Sequence, residues 1–297
     1  MPLRNTSSMF YTRNMSNDKV RKRVLPPGWY PNNQKETEEK FEKWENGINT
    51  VQEQTGIAAI VPHAGWVFSG KLAYKTIRRI NPECEVVLVV GGHLRAGDGV
   101  AVAEEQFFET PLGPIQAADE YRNRLIDQLD IKADSVPDNT VEVQLPIVRY
   151  LFPRAEIVWL RVGAGEEAVN LGKVCAGISG SFSEKVCMIG STDLTHYGPN
   201  YGFAPKGIGQ ESLKWAQQEN DAGIIQQMLE MNSQEVLRWG NERKAACSAG
   251  AAVAAIEYAS AYGCEEGVLV GYESSYSFNP DSSFVGYAGI TYSNAER

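Results

Sequence analysis

Short runs of branched apolar residues alternate along the chain with longer one-sided stretches, the pattern of a sheet covered by helices. Residues 57–61, 85–90, 99–103, 156–162 and 185–189 have the length and composition of strands, the run EVVLVV at 85–90 in particular of one buried on both faces. Two further strands are predicted at 268–272 and 287–292, the second placed to close the sheet beside its centre. Helices are predicted over 34–46, where Phe41 and Trp44 share one face of a charged segment, and from Ser69 or Gly70 through Ala73, Ile77 and Ile80. Others follow over 118–128, from Glu166 and Glu167 through Leu171 and Ile178, and over 214–229 and 231–239. The alanine-rich run at 241–263, with Cys247 near its start, predicts a last helix whose small side chains allow close packing on the sheet. Thr140 is expected to cap a helix carrying Glu142, Gln144 and Leu145, with Pro146 disturbing its first turns. The segment LPPGWYPNN at 25–33 reads as rigid and irregular, its Trp29 and Tyr30 either covering an edge of the body or lining the mouth of a site. No repeat, heptad or linker interrupts the pattern. The expected fold class is α/β: a single compact domain over 21–297, with a central, mostly buried mixed β-sheet flanked by helices, preceded by a flexible segment at 1–20.

Composition narrows the function classes. The chain has 297 residues, 43% of them hydrophobic, and a net charge of -9 from 37 acidic and 28 basic side chains. That balance argues against a nucleic-acid groove. No run of apolar residues is long enough to cross a bilayer, so no membrane partner is expected. The five cysteines, at 84, 175, 187, 247 and 264, show no C-x-x-C spacing. They read as reduced thiols of a cytoplasmic protein, not as a disulfide framework or a cysteine-rich zinc knuckle.

The candidate chemistry lies in the histidines, of which there are only three. His63, His93 and His196 each follow a strand, in IVPHAG, LVVGGH and GSTDLTH. Open α/β sheets bind ligands outside the carboxyl ends of their strands, so three histidines in that setting point to one shared site. Their spacing matches neither a zinc finger nor an H-E-x-x-H helix, and the fold would have to gather them. Neutral imidazole suits Fe(II), Zn and Cu, and Asp193, Glu142 or Cys247 can add an anionic ligand. Glu142 either points into the same crevice or is a carboxylate favoured by a helix start. A metal-free alternative pairs Cys247 with one histidine as nucleophile and base. Ser191 beside Asp193 and His196 lacks the G-x-S-x-G elbow of a serine hydrolase, and GGHLRAG lacks the order of a phosphate-binding loop.

VPHAGWVFSG at 61–70, TPLG at 110–113 and STDLTHYG at 191–198 together resemble the MEMO family, whose fold is similar to the catalytic subunit of class III extradiol ring-cleaving dioxygenases. GWY at 28–30, VEVQLP at 141–146 and YAG at 287–289 extend the resemblance to nearly the whole chain. It implies a metal set of His63, His93 and Cys247, with His196 as the proton-transfer residue. Asp193 would orient His196 or a neighbouring loop, Glu142 would be a supporting acceptor, and Trp66, Tyr197 and Tyr201 would form an aromatic rim. The implied activity is that of a mononuclear non-haem metal-dependent, dioxygenase-like oxidoreductase acting with O2 on a small organic substrate, with Fe(II) the expected metal and Cu or Zn the alternatives. A non-catalytic protein binding a metal, or a protein or peptide partner, and a metal-dependent hydrolase are the other readings. The chain departs from the family at VGGHLR, at DNT, where Asn139 replaces an expected histidine, and at SAGAA after Cys247. These departures imply a less basic pocket rim.

Overall fold

In the computed structural model, which describes residues 19–48, 55–183 and 185–294, the predicted strands assemble into one nine-stranded sheet. The chain opens with β1 (Val20–Arg21), α1 (Gln34–Glu45), β2 (Gly56–Val61), α2 (Lys71–Ile77), β3 (Val86–Leu94) and β4 (Val100–Val102). Its middle holds β5 (Phe107–Phe108), β6 (Ile115–Gln116), α3 (Asp119–Gln128), β7 (Ile131–Ala133), α4 (Asn139–Glu142), α5 (Leu145–Leu151), β8 (Glu156–Gly163) and α6 (Glu166–Ser179). The last part comprises β9 (Val186–Ser191), β10 (His196–Tyr197), α7 (Gln210–Trp215), α8 (Ala222–Leu229), α9 (Ser233–Arg243), α10 (Ala249–Ala261), β11 (Val268–Ser274) and β12 (Phe284–Ser293).

Strands β2, β9, β3 and β8 form a parallel centre. β12 closes one side antiparallel to β2 and carries β10 and β11, while β4 and β7 extend the other side beyond β8. The sheet is therefore mixed, and its alternation is legible in the core. Val86, Leu88 and Val90 of β3 face one apolar cluster with α6 and α10, whereas Val87 and Val89 face another with α1, α2 and α5. The result is a single α/β domain with helices on both faces of a large buried sheet. β1 lies apart in a three-stranded sheet with β5 and β6, Val20 pairing with Phe107. Most of the segment expected to be flexible, residues 1–18, lies outside the described residues.

Four helix expectations are corrected by local geometry, the first being the one over 241–263: its opening residues end α9 at Arg243, and α10 starts only at Ala249. The helix expected over 214–229 is interrupted by a π-helical turn, Ala216–Asp221, between α7 and α8. After β2 the chain passes through a second π-helical turn, Trp66–Gly70, and α2 ends at Ile77, short of Ile80. The cap of α4 is Asp138, whose carboxylate accepts from the Thr140 and Val141 amides, so Thr140 is inside the helix it was expected to start. All five cysteines are free. Among the described residues no helix is long and apolar enough to cross a membrane.

Candidate metal centre

Pro62 cannot extend the ladder of β2, and the chain turns there so that the next residue faces the carboxyl end of the sheet. His63 is 2% exposed. Its backbone N–H donates to Asp193 Oδ1 at 2.7 Å, its Nδ1 lies 3.3 Å from Ser191 Oγ, and its Nε2 lies 3.2 Å from Cys247 Sγ. Gln144 holds the same corner, its Nε2 donating to the Pro62 carbonyl at 2.8 Å and to Ser191 Oγ at 3.1 Å.

A register shift between Gly91 and Leu94, against β8, delivers His93. Such a bulge re-aims the side chain beside it. Gly92 has φ +104°, and a Cβ there would stand 2.8 Å from Arg161 Cβ, so this bulge needs glycine for both conformation and space. The Gly92 amide donates to Thr140 Oγ1 at 2.7 Å. The His93 ring is exposed and edge-on to His63, with centroids 5.1 Å apart at 89°.

Cys247 arrives from the opposite direction, two residues ahead of α10. Its amide donates to the Asp193 carbonyl at 3.1 Å, and the Ser248 amide donates to Thr192 Oγ1 at 3.0 Å. Donor atoms of His63, His93 and Cys247 all lie within 4.8 Å of one another. The three predicted ligands are brought together from β2, β3 and the entrance of α10.

His196 lies on β10, opposite Val285 of β12, and its Nε2 is 3.8 Å from Asp193 Oδ2. That carboxylate sits between two rings, also 3.9 Å from His63 Nε2, and its close hydrogen bond goes to the His63 backbone. The π-helical turn at Ala216–Asp221 supports the segment before His196: Asn220 Nδ2 donates to Thr195 Oγ1 at 2.9 Å, and Asp221 Oδ1 accepts from the Thr195 amide at 3.0 Å. π-bulges are frequent at functional sites, and here the turn places two consecutive polar side chains under one loop.

The electrostatics follow from close opposite charges in a buried place. Burial works to lower the pKa of His63, but the Cys247 and Asp193 charges carry it up to about 10. Burial works to raise the Cys247 thiol, and His63 with the neighbouring histidines pulls it well below its ordinary value. Asp193 is likewise held low by His63 and His196 against burial, and His196 is raised, chiefly by Asp193 and Cys247, against burial. Opposite charge thus draws the His63 and Cys247 pKa values in opposite directions.

Above the three donors opens a cavity of about 560 Å³, lined by His63, His93, Asp193, His196 and Tyr201 among others. Tyr201 tilts over His196 with ring centroids 4.9 Å apart. The other expected aromatics are elsewhere. Trp66 is buried among Phe41, Trp44 and Tyr30 and donates its indole N–H to the Val143 carbonyl at 3.1 Å. Tyr197 is buried, stacked on Phe284 with centroids 5.1 Å apart, and donates to the Gly207 carbonyl at 3.0 Å. Glu142 does not enter the crevice: it accepts from the Val24 and Leu25 amides, each at 3.0 Å, and from Tyr30 Oη at 2.8 Å. It fastens the N-terminal segment, while Asn139 of the same short helix lines the cavity. Of the two aromatics in GWY, Tyr30 packs and Trp29 lines the mouth, so each alternative holds for one residue. Phe68 and Tyr287 also line the cavity, and both lie within stretches that carried the family resemblance.

Residues 21–291 match the family described as Memo-like protein. The chain belongs to the MEMO family. A MEMO1 family protein of Thermococcus onnurineus is 32% identical over 253 residues, which cover 79% of this chain and 86% of that relative. Another, from Nitrosopumilus maritimus, is 30% identical over 292 residues, 92% of this chain and 99% of the relative. The solved structure of an uncharacterized protein, JW3007, from Escherichia coli K12 aligns with a TM-score of 0.52 at 10% identity, over 78% of this chain and 98% of that one, a likeness of fold. The MEMO family shares its fold with class III extradiol dioxygenases.

One buried acid of this MEMO chain predicts a pH signature. Burial raises Asp221 to about 6, with hydrogen bonds from Thr195 and Tyr272 only partly offsetting it. The folded state therefore holds this proton more tightly than the unfolded chain does. Its contribution to stability is fully present below about pH 4, where an unfolded Asp titrates, and is lost as pH rises through about 6, a difference on the order of 3 kcal/mol. Asp221→Asn is expected to raise the melting temperature relative to wild type more at pH 7.5 than at pH 4.5. Thermal unfolding at both pH values checks this, and an offset independent of pH refutes it.

Proposed function

We propose that this MEMO-family chain is a mononuclear non-haem metal-dependent oxidoreductase acting with O2 on a small organic substrate. Fe(II) is the first metal to test, with Cu and Zn as alternatives. The observation that carries the reading is the convergence of His63, His93 and Cys247 to within 4.8 Å at the floor of an open cavity that also holds a further histidine. The residues fit such an ion. Imidazole and thiolate bind transition metals at about 2.0–2.3 Å, so the donors need to converge by only about 1 Å, and His93, the exposed ring, has room to move. A cavity of about 560 Å³ suits a small organic molecule.

His63, His93 and Cys247 would hold the ion. When bound, a redox-active cation supplies a binding point for substrate oxygens and makes O2 reactive toward the organic partner. The chain supplies the rest. His196 faces the cavity outside the donor set, where its imidazole can take a proton from a substrate hydroxyl and return it later. The Asp193 carboxylate favours the protonated ring so formed. Tyr201 covers the outer side of His196 and limits water there.

The reading is tested by loading the purified protein anaerobically with Fe(II) or Zn(II) and following O2 uptake with a catechol. Iron-dependent O2 uptake with ring-opened product is expected. His196→Ala should keep the metal and lose at least about 100-fold of the rate. Failure to retain either ion overturns the reading. A thiolate ligand is softer and more oxidisable than a carboxylate, which favours a zinc-dependent hydrolase as the second reading. Ester hydrolysis by the zinc form, without O2 uptake by the iron form, would select it.

A further inference from the structure

We infer, building on the small-organic-substrate reading, that this pocket selects uncharged aromatic molecules and rejects their carboxylated or phosphorylated counterparts.

The cavity wall is apolar where a ring would lie. Val67 is 60% exposed and Tyr201 47%, and Phe68, Trp29 and Val285 complete the faces. Phe68 is itself braced edge-on by Phe278, with centroids 6.2 Å apart at 86°. Flat aromatic and branched walls of this kind favour a planar apolar guest.

Away from the imidazoles of the floor, the polar groups around that wall carry no positive charge for an anion. Among the described residues lining the cavity there is neither lysine nor arginine, and the one carboxylate is Asp193. Asn139, Asn279, Ser275 and Ser283, with the hydroxyls of Tyr201 and Tyr287, are the neutral polar groups. Ser275 Oγ accepts from the Val285 amide at 2.9 Å and is also bonded to the Tyr287 side chain, and Ser283 Oγ accepts from the Asn200 amide at 3.1 Å, so both serines are tied to the wall. The guanidinium behind Gly92 is neutralised by carboxylates, and a second one bonds to backbone. Arg161 is bound by Asp134 at 2.9 and 3.0 Å and approaches Asp138 at 3.4 Å, and Arg23 donates to the Asn32 carbonyl.

The formal charge of the floor does not supply the missing cation. A divalent ion held by two neutral imidazoles and one thiolate would leave one positive charge at the floor, but that charge is met by the substrate oxygen bound there, and a substituent on the far side of the ring faces the wall. A proton on His196 would face the Asp193 carboxylate at 3.8 Å. A carboxylate or phosphate on that far side of the ring would thus lose its hydration against a wall with no partner of opposite charge, a cost neutral hydrogen bonds do not repay.

The test uses calorimetric titration of the zinc-loaded protein, whose metal is redox-inert, with two pairs of probes: p-cresol against 4-hydroxybenzoate, and 4-methylcatechol against 3,4-dihydroxybenzoate. The neutral member of each pair is expected to bind at least about 30-fold more tightly. Val67→Lys, at an exposed wall position outside the metal and proton-transfer groups, should reduce that preference at least tenfold by strengthening binding of the acids. Equal or tighter binding of the acids by wild type overturns the inference, as does binding by neither pair. The oxidoreductase reading fails separately. If p-cresol is preferred over its acid but 4-methylcatechol gains nothing from its second hydroxyl, the selectivity stands and metal chelation of a diol does not. If the iron form consumes O2 fastest with 3,4-dihydroxybenzoate, the reaction stands and the selectivity falls.

Discussion

Replacing His63 with alanine is expected to lower the affinity for a divalent transition ion by at least about 100-fold, a larger effect than the loss of a residue that only supports a ligand. His63 is the best-fixed of the three donors, buried and held by its backbone bond to Asp193 and by the contact of its Nδ1 with Ser191. Its removal leaves the exposed His93 and the Cys247 thiolate as a two-donor site. His196→Ala should shift the affinity by less than about threefold, because that ring is not one of the converging donors. Competition with a coloured chelator under anaerobic conditions measures both variants. An unchanged affinity in His63→Ala would remove the metal centre from the account. The same titration has a pH dependence of known sign. With His63 raised to about 10 and in contact with Cys247 at 3.2 Å, the pair holds a proton that binding must displace. Apparent affinity should therefore rise about tenfold per pH unit between pH 7 and 9, with about one proton released per ion bound.

The strands and the donors were legible in the sequence because each depends on short-range signals. A branched apolar run can be little else than a buried strand, and a histidine placed where such a run stops must emerge at the sheet's edge. The rim was less legible. Trp66 and Tyr197 lie in the right stretches, yet their neighbours Val67, Phe68 and His196 face the cavity instead. A π-helical turn rotates the side chains after Gly65, and the two-residue strand β10 sends alternate residues to opposite sides. Neither device has a sequence signature of its own. Glu142 was misplaced for a related reason. A helix of only four residues presents each position to a different neighbour, and its first residue, Asn139, took the cavity while its last took the N-terminal segment. The long helix over 214–229 failed as an expectation because Asn220 and Asp221 are drawn under Thr195, a tertiary demand that overrides helical propensity.

The closeness of α10 to the sheet is the other condition for the site, and it makes one methyl group costly. A Cβ at Gly190 of β9 would stand 3.0 Å from the Ala251 carbonyl carbon, nearer still to its oxygen, and 3.1 Å from Ala255 Cβ. The obstructing atoms are largely helix backbone, so no side-chain rotation relieves the contact and α10 must move away from β9. Gly190→Ala is therefore expected to destabilise the fold by about 3 kcal/mol, the upper part of the range for overpacking. The melting temperature should fall by roughly 5 °C in a chain of this size. Because Cys247 lies two residues ahead of α10, the displacement should also carry its sulfur from the two imidazoles and weaken metal binding about tenfold. Gly177→Ala separates this cause from any general effect of replacing glycine. Gly177 lies in α6 with nothing within 4 Å of the added carbon, so alanine there should stabilise by up to about 1 kcal/mol and leave metal affinity unchanged. Scanning calorimetry with and without zinc reads both variants. Opposite signs at the two glycines are the expected result, and equal melting temperatures would show that α10 can shift from the sheet without strain.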